Sequence, residues 1–138
     1  MRAERIRKTE ENEKGQSLVE FALVVPLILL LVIGIAEFGR AWMTKNILTG
    51  AAREAVRIYA VVNDNAAASA RADNVLRSAH LDPAKWRIFS SLSATDRSLS
   101  YRIEYDFPII IAGFVPGLSA DSITLESETT MRREWDTP

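Results

Sequence analysis

Between Leu18 and Ala36 polar side chains almost vanish, and Phe21 to Ala36 is a run of sixteen uncharged residues. With Leu18 and Val19 added across Glu20, this approaches the roughly 17 to 25 residues that a spanning helix needs. Glu37 and Arg40 then restore charge, and Trp42 supplies an aromatic suited to the headgroup layer. Beyond Arg40 the period stays helical: Ile47 and Leu48, Ala51 and Ala55, and Ile58 and Tyr59 recur at spacings of three and four. One helix from Gln16 to about Val62 would be ~70 Å long, far more than a hydrocarbon core of ~30 Å. Pro26 within it is expected to remove a backbone hydrogen bond and to kink or loosen the helix. Gly34, Gly39 and Gly50 fit close packing between subunits, although glycine is in any case commoner in membrane helices.

After the turn-prone Asn63-Asp64-Asn65, the stretch to His80 reads as an alanine-rich amphipathic helix. Ala72, Val75, Leu76 and Ala79 share one face, and Asp82-Pro83 is expected to end it. The period then changes to two. Trp86, Ile88 and Leu92 suggest a first strand. Leu99, Tyr101, Ile103, Tyr105 and Phe107 alternate with polar residues in a second, and Ile123, Leu125 and Met131 in a third. The predicted class is α+β: a long N-terminal transmembrane helix, then a small head of one helix and a three-stranded antiparallel sheet. Between the last two strands, Pro108 to Leu118 is apolar and bracketed by Pro and Gly, so it must lie against something. It either folds under the sheet as core or forms a partner surface through Ile109, Ile110, Ile111 and Phe114, with Phe114 as anchor.

Composition narrows the function classes. The net charge is -1, and no dense run of Lys or Arg argues for a nucleic-acid surface. Without cysteine there is neither a disulfide framework nor thiolate chemistry, and a lone His80 is poor material for a metal site. No phosphate loop, metal-ligand spacing or nucleophile motif occurs, so no catalytic site and no cofactor is read. Asp64, Asp73 and Asp82 are spaced as solvated or capping residues rather than as a calcium loop.

Glu20 is the anomaly. A lone carboxylate at mid-span costs roughly 2.5 to 3.5 kcal/mol on insertion scales, and less near the end where Glu20 sits. Three readings of the segment follow. It is a plain signal anchor, a signal peptide cut at the small-x-small Gly34-Ile35-Ala36, or a third kind of segment marked by Gly15 and Glu20 together. The leader of residues 1–15 holds five Lys or Arg, but Arg40, Lys45, Arg53 and Arg57 follow the far end, so charge favours a cytoplasmic N-terminus only weakly. Locally, Ser17-Leu18-Val19-Glu20 also fits a capping box.

The string Gly15-Gln16-Ser17-Leu18-Val19-Glu20-Phe21 ahead of the apolar run resembles the processing site of type IV-like prepilins. That resemblance implies cleavage after Gly15 by a prepilin peptidase, a mature Gln16, and a Glu20 that pairs with the new N-terminal amine of a neighbouring subunit. The match continues through Pro26, "GIAEFGR" at 34–40 and "AAREAVR" at 51–57, with a looser likeness in "TTMRRE" at 129–134. Residues 14 to 58 are similar to the TadE-like family, minor pilins (pseudopilins) of the tight-adherence (Tad/Flp) pilus system.

The resemblance implies adhesion and biofilm formation. Its implied partners are other pilins and minor pilins, the prepilin peptidase, an inner-membrane assembly platform and the lipid bilayer. The expected organisation is a cytoplasmic leader at 1–15, a long helix at 16–62 whose transmembrane part is about 18–36, and a head at 63–138. The expected location is the bacterial inner membrane, single-pass with the head periplasmic, or the extracellular pilus. The rival reading is a membrane-anchored periplasmic binding or interaction module outside any filament.

Overall fold

The computed structural model describes residues 2–93, 97–110 and 121–133, with side chains described from residue 15 onward. Helix α1 runs Arg2–Val62 and α2 runs Asn65–Ser78; a 3-10 turn, Pro83–Lys85, leads into β1 Trp86–Leu92, β2 Ser98–Pro108 and β3 Ser122–Arg132. The strands form one antiparallel sheet in the order β1-β2-β3. This is the expected α+β class. Pro26 lies within α1, which is helical on both sides of it. The chain divides into two compact units, residues 1–36 and 37–138. The second unit starts at Glu37, so residues 37–62 belong to the head and supply much of its core.

In that unit the alternation of β2 decides the layering. Leu99, Tyr101, Ile103, Tyr105 and Phe107 are buried, while Arg102 between them is exposed and Glu104 and Asp106 are half-buried. The same parity places Trp86 and Ile88 of β1 and Leu125 of β3 beside them, opposite Tyr105, Ile103 and Tyr105 respectively. Covering this face are Leu48, Ala51, Ala52, Ala55, Val56 and Ala60 of α1 with Ala68, Ala72 and Leu76 of α2. Six of these nine are alanine, which adds little bulk, so two helices and a sheet can share one small core. Each fully buried Leu, Ile or Val contributes about 1.5–3 kcal/mol over its exposed state.

Two polar contacts fix the layers. Tyr101 is fully buried, and its hydroxyl meets Ser69 Oγ at 3.0 Å and donates to the Asn65 carbonyl at 3.2 Å and to Asn65 Oδ1. Its ring stands edge-on to Tyr59, 6.2 Å between centroids. Thr49 Oγ1 of α1 lies 2.8 Å from Ser127 Oγ of β3, which gives the buried serine a partner.

The helix ends are built from their own residues. After Val62, Asn63 takes a left-handed φ of 54° and its N–H donates to the Tyr59 carbonyl at 3.0 Å. Asp64 then caps α2, its Oδ1 accepting from the N–H groups of Ala66 and Ala67 at 2.8 and 3.1 Å. At the other end the outcome differs from expectation. The helix stops at Ser78, before Asp82-Pro83, because His80 turns left-handed at φ 59°. His80 N–H donates to Arg77 O, and Leu81 N–H to Leu76 O, closing a Schellman motif with Leu81 packed against the core that holds Leu76. Asp82 instead caps the 3-10 turn through Ala84 N–H at 3.0 Å.

The sheet's other face is polar. Arg87 reaches Asp106 through Nη1 and Nη2 at 3.0 and 3.2 Å and Glu104 through Nε at 3.3 Å. Asp106 also accepts from Thr124 Oγ1 at 2.9 Å. Arg87, then Thr124, holds the Asp106 carboxyl below the usual carboxylate range.

Candidate functional site

Gly15, Gln16, Glu20 and Phe21 all lie on α1 and all are exposed. Gln16 Nε2 donates to Glu20 Oε1 at 3.2 Å, one helical turn apart. The capping box is not formed. Because α1 begins at Arg2, Ser17 lies within the helix, where the N–H groups around it have carbonyl partners four residues back. Glu20 therefore receives its hydrogen bond from a side-chain amide one turn earlier, and the carboxylate is left on the helix surface.

That surface is apolar and uncovered. Phe21 is 67% exposed, Leu23 73% and Leu31 64%, and no part of the most apolar stretch is buried. Uncovered apolar area of this size is what lipid or another protein chain takes out of water. A Cβ added at Gly15, Gly34, Gly39 or Gly50 would meet no atom within 4 Å, so contacts within the chain do not require these glycines.

At the start of the second unit, Phe38 stacks on Trp42 with ring centroids 6.2 Å apart, both largely exposed. Glu37 pairs with Arg40 at 2.7 Å, and Glu37 Oε2 is buried without a hydrogen-bond partner among the described residues. Arg40 in turn lies over Phe107, the last inward residue of β2. Sequence reasoning picked out Trp42 but not its pairing with Phe38; the signal was present in their spacing of four. It could not find the Arg40–Phe107 contact, whose partners are far apart in the chain.

Of the apolar segment beginning at Pro108, Ile109 is half-buried and its N–H donates to the Asp121 carbonyl at 3.0 Å, while Ile110 is 56% exposed. Ile111 and Phe114 lie outside the described residues. So does Glu134, the last residue of the tail resemblance. Among the described residues no group of His, Asp and Glu could hold a metal ion.

These features define a class: an α+β protein whose first helix is long and apolar enough to cross a membrane, with a head built on the continuation of that helix. Residues 15–57 match the model of the TadE-like protein family, so over that stretch the chain is similar to TadE-like proteins. The match begins at Gly15 and takes in Glu20, the span and the part of α1 that packs in the head. No curated protein and no solved structure matches the chain.

Proposed function

We propose that this protein is a minor pilin, or pseudopilin, of a Tad-type pilus. A prepilin peptidase cuts it after Gly15, and it joins the pilus through its N-terminal helix in support of adhesion and biofilm formation. Its role is not enzymatic. The observation that carries the reading is Glu20: an exposed carboxylate at the entrance of an apolar helix, hydrogen-bonded, among the described residues, to the one that would become the mature N-terminus.

The chemistry follows from the cut. Hydrolysis of the Gly15–Gln16 peptide bond converts a neutral amide into an ammonium at Gln16, four residues from Glu20. In a low-dielectric setting an ammonium offsets much of the cost of the carboxylate. Each mature chain carries one of each group, so pairing between chains can repeat head to tail along a filament. The uncut chain has no such cation at position 16, so cleavage would also act as the licence for assembly. The small open positions at Gly34 and Gly39 suit lateral packing of such helices.

Prepilin peptidase, other pilins and the inner-membrane assembly platform are the partners this role requires. The test is N-terminal peptide mass spectrometry on the protein from native cells, with membrane and sheared-surface fractions kept apart. A start at Gln16, found also in the sheared fraction, is the expected result. An intact leader confined to membranes would instead favour an anchored periplasmic interaction module, and a start at Glu37 an exported domain.

A further inference from the structure

β3 is an edge strand of eleven residues, paired to β2 from Ser122 to Arg132 in an unbroken register, with no strand on its far side among the described residues. Every second backbone amide and carbonyl of such a strand points away from the sheet and can pair with another chain. The usual defences are weak here. β3 has no proline, no lysine and no bulge, and its inward face ends in Ile123, 43% exposed, and Met131, 36% exposed. The apolar face of the sheet therefore extends past its helical cover at both ends of this strand.

The outward face carries a charge pattern. Glu126 and Glu128 are exposed, and neither forms a hydrogen bond or ion pair among the described residues. Glu126 stands opposite Glu104, and Glu128 opposite Arg102, whose Nε is 3.6 Å from Glu104. Two unneutralised carboxylates two residues apart thus line the open edge. Like charges directly across a strand pair destabilise it, and opposite charges support it.

We infer that the β3 edge takes up an extended segment of another protein that places two basic side chains beside Glu126 and Glu128 and apolar ones beside Ile123 and Leu125. A second copy of this chain fits poorly. With Ser127 on a two-fold axis, Glu126 of each copy would face Glu128 of the other; with either glutamate on the axis, it would face itself. With Leu125 on the axis Glu126 and Glu128 would face Thr124 and Ser122 and gain no cation; with Thr129 on it Glu126 would face Arg132, but Leu125 would face Arg133 in place of an apolar partner. Strand addition of this kind combines main-chain hydrogen bonds for affinity with alternate side chains for specificity. It does not depend on cleavage at Gly15 or on Glu20.

The test uses the full chain in lipid nanodiscs and two synthetic peptides about as long as β3, one alternating Val with Lys and the other Val with Glu. Binding is read by fluorescence anisotropy, and its location by hydrogen–deuterium exchange over residues 122–132. The lysine peptide should bind roughly tenfold more tightly than the glutamate peptide and slow exchange in that segment. The double variant E126K/E128K, which changes only exposed side chains, should reverse the preference. Equal binding of the two peptides, protection at another segment, an unchanged preference in the double variant, or a dimer of the chain already protecting 122–132 would each overturn the proposal.

Discussion

The guanidinium of Arg40 lies 4.9 Å from the centroid of the Phe107 ring, and its Nη1 donates to Glu37 Oε1 at 2.7 Å. One residue belongs to the first turn of α1 in the head and the other to the end of β2, so the contact ties the entry of the helix to the sheet. Phe107 is 4% exposed and carries the larger share of the energy. Phe107→Ala should destabilise the head by about 3–5 kcal/mol in urea unfolding followed by near-UV circular dichroism. Arg40→Gln should cost only about 0.5–1 kcal/mol, the size of a partly exposed cation–π contact. In a double-mutant cycle the Arg40 effect should disappear once Phe107 is gone.

Tyr101 unites the core and its polar seam. Tyr101→Phe keeps the ring but removes the hydroxyl that meets Ser69 and Asn65, and because Asn65 is exposed and Ser69 half-buried a cost of about 0.5–1.5 kcal/mol is expected in the same assay. Burial is the main cause that raises the Tyr101 phenol above its ordinary value of 10.0. A raised folded-state value means stability that is complete below about pH 10 and lost as pH climbs through the folded value. Alkaline unfolding should therefore be shallower in Tyr101→Phe than in the natural chain.

The two ends of α2 are open to opposite tests. Asp64→Ala removes an acceptor of two backbone N–H groups and should lower stability by about 1 kcal/mol. His80 holds a left-handed conformation that costs an L-residue roughly 1–2 kcal/mol, so His80→Gly should raise the melting temperature. A lower melting temperature in that variant would show that the imidazole itself makes a stabilising contact.

What the sequence made legible was what repeats over short distances. Leu99 to Phe107 could be read as a half-buried strand because period two is written in adjacent residues. The helical face through Leu48, Ala51, Ala55 and Tyr59 was readable for the same reason. Contacts between distant residues were not readable. Ser127 is a polar residue on the inward parity of Leu125 and Met131, and nothing local shows that its partner is Thr49, 78 residues away. The stop of α2 at His80 depends on Leu81 reaching back to Leu76, and a left-handed histidine has no compositional mark. At the candidate site, Gly15 and Glu20 were legible as a motif, whereas the partner of Glu20 was misjudged. A capping box needs the helix to start at Ser17, and the helix starts at Arg2.

On the sheet's outer face, Asp106 gives the acid counterpart. Its carboxyl is held below the ordinary 3.8, first by the Arg87 hydrogen bonds and then by Thr124. A depressed folded-state value means stability present above about pH 3.8 and lost as pH falls through the lower folded value. Asp106→Asn should flatten that part of the acid unfolding curve and leave stability near pH 7 only slightly lower, since the pair is exposed to solvent. An unchanged acid limb would show that Arg87 gains nothing from this carboxylate.

Glu20→Gln separates assembly from folding. Among the described residues the hydrogen bond of Glu20 is to Gln16, and Glu20 lies outside the unit of residues 37–138, so the variant should fold and anchor as the natural chain does. If the carboxylate neutralises the Gln16 ammonium of a neighbouring mature chain, the variant leaves that cation unpaired at every contact. A loss of about 1.4 kcal/mol per contact corresponds to a tenfold fall in association. The expected result is normal cleavage after Gly15, a normal amount in the membrane, and roughly tenfold less protein in the sheared fraction, by quantitative immunoblot. Glu20→Asp, which keeps the charge on a shorter arm, should recover part of that amount. Entry of Glu20→Gln into the sheared fraction at the natural level would sink the paired-charge account while leaving cleavage untouched.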